Sequence, residues 1–200
     1  MIDLTPISLE GERVRLDPMS RDHIDALSAA GAFEELWKWT RNNATTRESM
    51  SEYMEEAFTD TAQGLAMPFV TVDKASGRIV GSTRFGNIDQ SNRRVEIGWT
   101  WITPEFQRSY VNSEAKYLML RHAFEVWDCV RVELKTDALN TQSRTAMLRL
   151  GAVEEGIFRK HMVTYTGRFR DSAYYSIIDT EWPTVKQRIT SFLQRTQTGT

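Results

Sequence analysis

Between residues 93 and 136 the chain carries a unit that leaves few folds open to it. Val95-Glu96-Ile97-Gly98-Trp99-Thr100-Trp101-Ile102 reads as a strand stopped by Thr103-Pro104. Val130-Arg131-Val132-Glu133-Leu134-Lys135-Thr136 alternates apolar and polar residues, as a second strand does. Between them a helix is predicted over residues 113–127, with Tyr117, Leu120, Phe124 and Trp127 on one stripe and Leu118, Met119 and Val126 beside it. A helix apolar over that much of its circumference belongs against a sheet. The crossover it makes is right-handed and sets its two strands parallel. The polar stretch Gln107-Arg108-Ser109-Tyr110-Val111-Asn112-Ser113 then falls at the helix N-terminus, where unpaired amides and the helix dipole favour an anion such as phosphate, with Arg108 as a fixed positive charge.

The rest of the chain fits around this unit. Residues 12–17 alternate as a strand, and Ser20 can cap a helix ending at Gly31. Trp37 and Trp39 follow in a short helical piece. Thr45 and Glu48 match a capping box for a helix with Met50, Tyr53, Met54, Ala57 and Phe58 on its inner face. Residues 69–72, 78–88 and 93–102 form a meander with turns at 73–77 and 89–92. A helix over 140–150 capped by Gly151, strands near 153–165 and 168–178, and a helix from Thr180 to Phe192 complete the pattern.

Two hundred residues suit one domain with a substantial core. A net charge of −2 without any Lys/Arg run speaks against nucleic acid or a membrane surface as partner. His23, His122 and His161 lack metal-ligand spacing, so no metal is expected, and the single Cys129 reads as a small buried hydrophobe. No stretch of 18 apolar residues occurs, and Met1 to Pro6 lacks a basic region followed by an apolar run. The expectation is a cytoplasmic protein with a domain over 8–195 and flexible ends at 1–7 and 196–200.

The element order resembles the GNAT superfamily of acyl-CoA-dependent N-acyltransferases. Glu96 to Trp101 looks like that family's fourth strand, and Gln107 to Ala115 sits where its pyrophosphate loop belongs. Thr136 to Ser143 followed by Leu150-Gly151-Ala152 resembles its second conserved block, with Asn140 and Ser143 three apart. Gly156 to His161 with Gly167 to Tyr175 looks like the ribosomal-protein N-terminal (alanine/serine) acetyltransferase branch. The resemblance implies a single α/β (α+β) domain with a mixed, mostly antiparallel sheet of about seven strands, flanked by helices. The CoA cleft lies between splayed parallel strands, the fourth and fifth. One departure stands out: Tyr110 and Asn112 occupy the loop positions where the family places small residues, usually glycine.

Carried over residue by residue, the resemblance makes acetyl-CoA, or another short acyl-CoA, the co-substrate and a primary amine the acceptor, by direct attack in a ternary complex. Trp101, Ile102, Thr103, Gln107 to Ser113, Asn140 and Ser143 are then the expected CoA contacts. Glu96 is the candidate base for the amine, with an ion pair to an arginine such as Arg84 as the alternative. Ser143 is the candidate acid, although Asn140 and Ser143 also suit an ordinary helix start. Trp37, Trp39 and His161 are candidates for acceptor contact, and Arg168 and Arg170 for ion pairs or an acidic acceptor. A protein N-terminal α-amine leads as acceptor, being easier to deprotonate than a lysine. The alternatives are a small-molecule amine (polyamine, amino acid or aminoglycoside) and a non-catalytic CoA or metabolite sensor. Many members of the family pair, so a homodimer is expected.

Overall fold

A computed structural model describes residues 2–195. In chain order the elements are β1 (Leu9–Glu10), β2 (Val14–Pro18), α1 (Ile24–Gly31), α2 (Arg47–Ala62), β3 (Met67–Asp73), β4 (Ile79–Asp89) and β5 (Arg94–Ile102). Then come α3 (Tyr110–Glu125), β6 (Arg131–Asp137), α4 (Thr141–Leu150), β7 (Val153–Val163), β8 (Phe169–Ile178) and α5 (Trp182–Arg195). The strands form one eight-stranded sheet in the order β1-β2-β3-β4-β5-β6-β8-β7. Every pairing is antiparallel except β5 with β6. The eighth strand is the two-residue β1, too short to show an alternation.

Two layers cover the sheet. On one face α3 and α5 pack over a core that includes Val95, Ile97, Leu118, Met119, Leu120, Val132, Leu134, Trp182 and Ile189. Side chains of this kind, fully withdrawn from water, contribute about 1.5–3 kcal/mol each. On the other face α1 and α2 enclose a second cluster with Leu27, Trp37, Met50, Tyr53, Met54 and Trp101. Ile2 also lies in the first core and Leu4 packs against it, so the start of the described chain is anchored where a free end was expected. Residues 196–200 lie outside the described residues.

Three local expectations are displaced. The cap of α2 is Thr46 rather than Thr45: Thr46 Oγ1 accepts from Ser49 N at 3.2 Å, and Ser49 Oγ accepts from Thr46 N at 3.1 Å. Helix α3 starts at Tyr110, three residues early, because Ser109 Oγ accepts from Val111 N and closes the first turn there. Tyr110, Val111 and Asn112 are thus helical, not loop. The left-handed residue of this turn is Arg108, with φ 59°.

The parallel pairing decides the shape of the centre. β5 and β6 are joined only at Arg94–Arg131, Val95–Val132 and Glu96–Glu133, although β5 runs on to Ile102 and β6 to Asp137. Beyond Glu96 the strands part and leave a wedge. A bulge helps: Trp99 has φ 50°, and the β4–β5 register slips between Ser82 and Arg84. The extra residue breaks the alternation: Ile97 faces the first cluster, whereas Trp99 and Trp101 pack with the second and Thr100 lies under α3.

Candidate active site at the parting strands

At the mouth of the wedge sits the turn between β5 and α3. Gln107 Nε2 donates to Ile102 O at 3.0 Å, and Ser109 Oγ donates to Phe106 O at 2.6 Å. Arg108 is exposed, with no side-chain partner among the described residues. Tyr110 does not close the loop. Its hydroxyl donates to Asp73, and Arg13 covers its ring at 4.1 Å. Burial first, then the Asp73 carboxylate, push the phenol up to about 12, so it stays a neutral donor. The side chain is thus engaged with Arg13 and Asp73, and of the first amides of α3 that of Val111 is held by Ser109 Oγ. Ser113 is buried and accepts from Arg149 Nη2 at 3.2 Å.

Trp101, Ile102 and Thr103 offer less than expected. Trp101 turns into the second cluster, 5.4 Å from Trp37, and Ile102 into the first. Thr103 is buried, its amide held by Val80 O at 2.8 Å. What Trp101 and Ile102 can give a ligand is backbone. Across the wedge, Asn140 Oδ1 accepts from Ser143 N at 3.1 Å and caps α4, the ordinary structural use of such a pair. The half-buried Ser143 hydroxyl has no partner among the described residues.

Glu96 is 2% exposed. Its Oε2 accepts from Lys135 Nζ at 2.8 Å and from Asn87 Nδ2 at 2.7 Å. Oε1 lies over Gly98, where a Cβ would stand 2.8 Å from it, so only glycine leaves the carboxylate its room. The expected partner Arg84 is elsewhere: it is fully buried between the rings of Tyr53 and Trp99, at 5.1 and 4.9 Å, and faces Asp60 at 3.5 Å.

Glu96 and Glu133, the last residues paired before the strands part, line a cavity of about 430 Å³ together with Asn87, Arg94, Phe158 and Tyr174. Its carboxylates are neutralised by neighbouring strands. Glu133 meets Arg94 at 3.1 Å and Arg131 at 2.9 Å, and Glu155 meets Arg131. His161 extends the wall, with Nδ1 3.0 Å from Ser172 Oγ and its ring edge-on to Phe158 and Tyr174. Burial, with Lys135 and Arg170 nearby, holds this imidazole below its usual value.

The two tryptophans divide. Trp37 is 1% exposed and donates Nε1–H to Gly31 O at 2.9 Å, so it is a core residue and touches no acceptor. Trp39 is half-buried, with Lys38 and Arg168 over its ring. Arg168 pairs with the buried Asp137, while among the described residues Arg170 donates to neutral groups, Trp39 O at 2.9 Å and Ser172 Oγ at 3.2 Å.

Sequence reasoning missed Lys135, Asn87, Asp137 and the Arg94–Glu133–Arg131–Glu155 network. The signal was present in β6, where Arg131, Glu133, Lys135 and Asp137 occupy every second position. A strand inside a sheet with one wholly charged face marks a site rather than solvent.

A family model described as an acetyltransferase (GNAT) domain matches residues 13–153. Bacillus subtilis YdaF, provisionally named a ribosomal N-acetyltransferase, is 34% identical over 53% of this chain and 57% of its own length. A crystal structure of a GCN5-related N-acetyltransferase from Brucella melitensis is 34% identical, covering 94% of this chain and 86% of that one, with a TM-score of 0.87. Mycobacterium smegmatis RimJ in complex with CoA-disulfide shares the fold, with a TM-score of 0.81 at 22% identity over 94% and 95% of the two chains.

Proposed function

Because this chain belongs to the GNAT acetyltransferase family, we propose that it transfers an acetyl or other short acyl group from acyl-CoA to a protein N-terminal α-amine. Acyl-CoA supplies the activated thioester. The amides at the start of α3, with Arg108, receive its phosphates, and Asn140 and Ser143 on α4 flank its arm. Glu96 holds the incoming amine and takes its proton through water, using the unengaged Oε1. Lys135 and Asn87 hold the carboxylate's other oxygen and aim it. Ser143 hands a proton to the departing sulfur, and a backbone N–H near Ile102 faces the carbonyl oxygen.

The observation that carries this reading is the charge-balanced cavity at the closed end of the wedge. Its carboxylates are already met by Arg94, Arg131 and Lys135. A polycationic drug or polyamine would find no unpaired anionic wall, whereas one amine on a peptide needs a single carboxylate and the aromatic walls of Phe158 and Tyr174. The relative named for ribosomal N-acetylation supports the same acceptor class. Two copies pair in this reading, because the long outer strand β7 leaves an exposed edge that pairing covers. Sedimentation would show a dimer.

The test is acetyl-CoA binding by calorimetry, followed by thiol release with N-terminal peptides and a panel of small amines. Release with peptides above that with spermidine, lysine or kanamycin is expected. Binding followed by release only with small amines would overturn the acceptor, and binding without any release would favour a sensor.

A further inference from the structure

Lys116 has no part in the reading above, and its burial is unexplained by packing. It lies in α3 with 6% exposure, and among the described residues its Nζ has one hydrogen-bond partner, Thr100 Oγ1 at 2.7 Å. Thr100 is itself engaged with Thr83 Oγ1 at 2.7 Å. No carboxylate forms an ion pair with Lys116 among the described residues. The one charged group whose field it feels is Glu96, already held by Lys135 and Asn87. A buried amine without a counterion is costly, so its retention calls for a role beyond packing. Thr100 stands on the part of β5 that has left β6, so α3 sets the amine against the strand that forms one wall of the wedge.

We propose that Lys116, seated on Thr100, places a positive charge at this wall of the wedge and stabilises the negative charge that forms on the reacting thioester of acyl-CoA. This rests on the acyl-CoA reading. As the amine nitrogen bonds the carbonyl carbon, charge gathers on the carbonyl oxygen. As the C–S bond breaks, its electron pair leaves on sulfur. Lys116 exchanges no atom in either event; nitrogen's proton goes to Glu96 through water, and sulfur takes one from Ser143. Burial lowers Lys116 from its ordinary 10.5 to about 7, so the ammonium is accessible at neutral pH, and an anion beside it favours that form.

The test needs no turnover. CoA is bound to the wild type, to Lys116→Met and to Thr100→Val, with binding verified by calorimetry and folding by circular dichroism. Thiolate absorbance is then followed from pH 6 to 9. Cys129, the single cysteine, is pushed up to about 11 by burial and stays silent in this range. The bound thiol is expected to ionise about tenfold more readily in the wild type than in Lys116→Met, one pKa unit, with Thr100→Val between them. Equal ionisation in all three with CoA bound overturns the role of Lys116 and leaves the acyl-CoA reading standing. Failure of the wild type to bind CoA overturns both.

Discussion

Replacing Lys116 by methionine is expected to stabilise the protein, by an amount that depends on pH. Methionine keeps the unbranched side chain and removes the charge. In the fold Lys116 ionises near 7, against 10.5 ordinarily. Its folded value is lowered, so between those limits the unfolded chain holds a proton that the folded one lacks. Stability therefore rises with pH through that window, and the cost is complete below 7, about 5 kcal/mol at 1.36 kcal/mol per pKa unit. Losing the bond to Thr100 gives back roughly 1.5–3 kcal/mol. The net gain is about 2–3 kcal/mol at pH 6, roughly 5–10 °C in Tm for a chain of this size. It fades as pH approaches 10. Urea unfolding of both proteins at pH 6, 8 and 9.5 measures it. The same difference at every pH, or a loss at pH 6, would refute the reasoning.

Glu96→Gln should lower kcat by about 10²–10⁴; turnover unchanged over pH 6–9 would take Glu96 out of the mechanism. Tyr110→Phe should destabilise by about 1–3 kcal/mol through the lost bond to Asp73, while CoA affinity measured by calorimetry stays within twofold; a tenfold loss of affinity in a folded protein would place the ring on the ligand. Trp37→Ala should lose about 3–5 kcal/mol in urea, whereas Trp39→Ala should leave stability nearly intact and raise KM for the acceptor.

The fold was legible because its signals are local. Period-two strands, the stripe on α3 and the glycine ending α4 at Gly151, with φ 107°, all act over a few residues. The meander β3–β4–β5 and the parallel pair β5–β6 followed from short turns and the α3 crossover, whereas the place of β8 between β6 and β7 rests on long-range pairing that no local signal announces. The polar turn opening α3 at Gln107 to Ser109 was legible because its members lie close in sequence. Glu96 with Lys135 is a contact across 39 positions, and nothing local announces it. Tyr110 shows the same limit from the other side: its partner Asp73 lies 37 residues away. Two tryptophans two apart cannot both face the core of a helical piece, and the chain between α1 and α2 turns so that Trp37 enters the core and Trp39 faces Arg168.

The parallel seam has a mechanical consequence. Three residue pairs lace β1 through β5 to β6, β8 and β7, and among the described residues the two parts are also joined by side-chain bridges such as Lys135–Glu96 and Arg94–Glu133 and by the helix α3 with the packing around it. Such a seam is where a chain can unzip part-way, with the β6–β8 half loosening while the other half stays folded. A ligand lodged between the parting strands would bridge the gap and bind the halves into one cooperative unit. Amide exchange in β6 and β8 should slow more on filling the gap than exchange in β3 and β4, so that occupancy is reported by the rigidity of a half that touches the ligand along one edge.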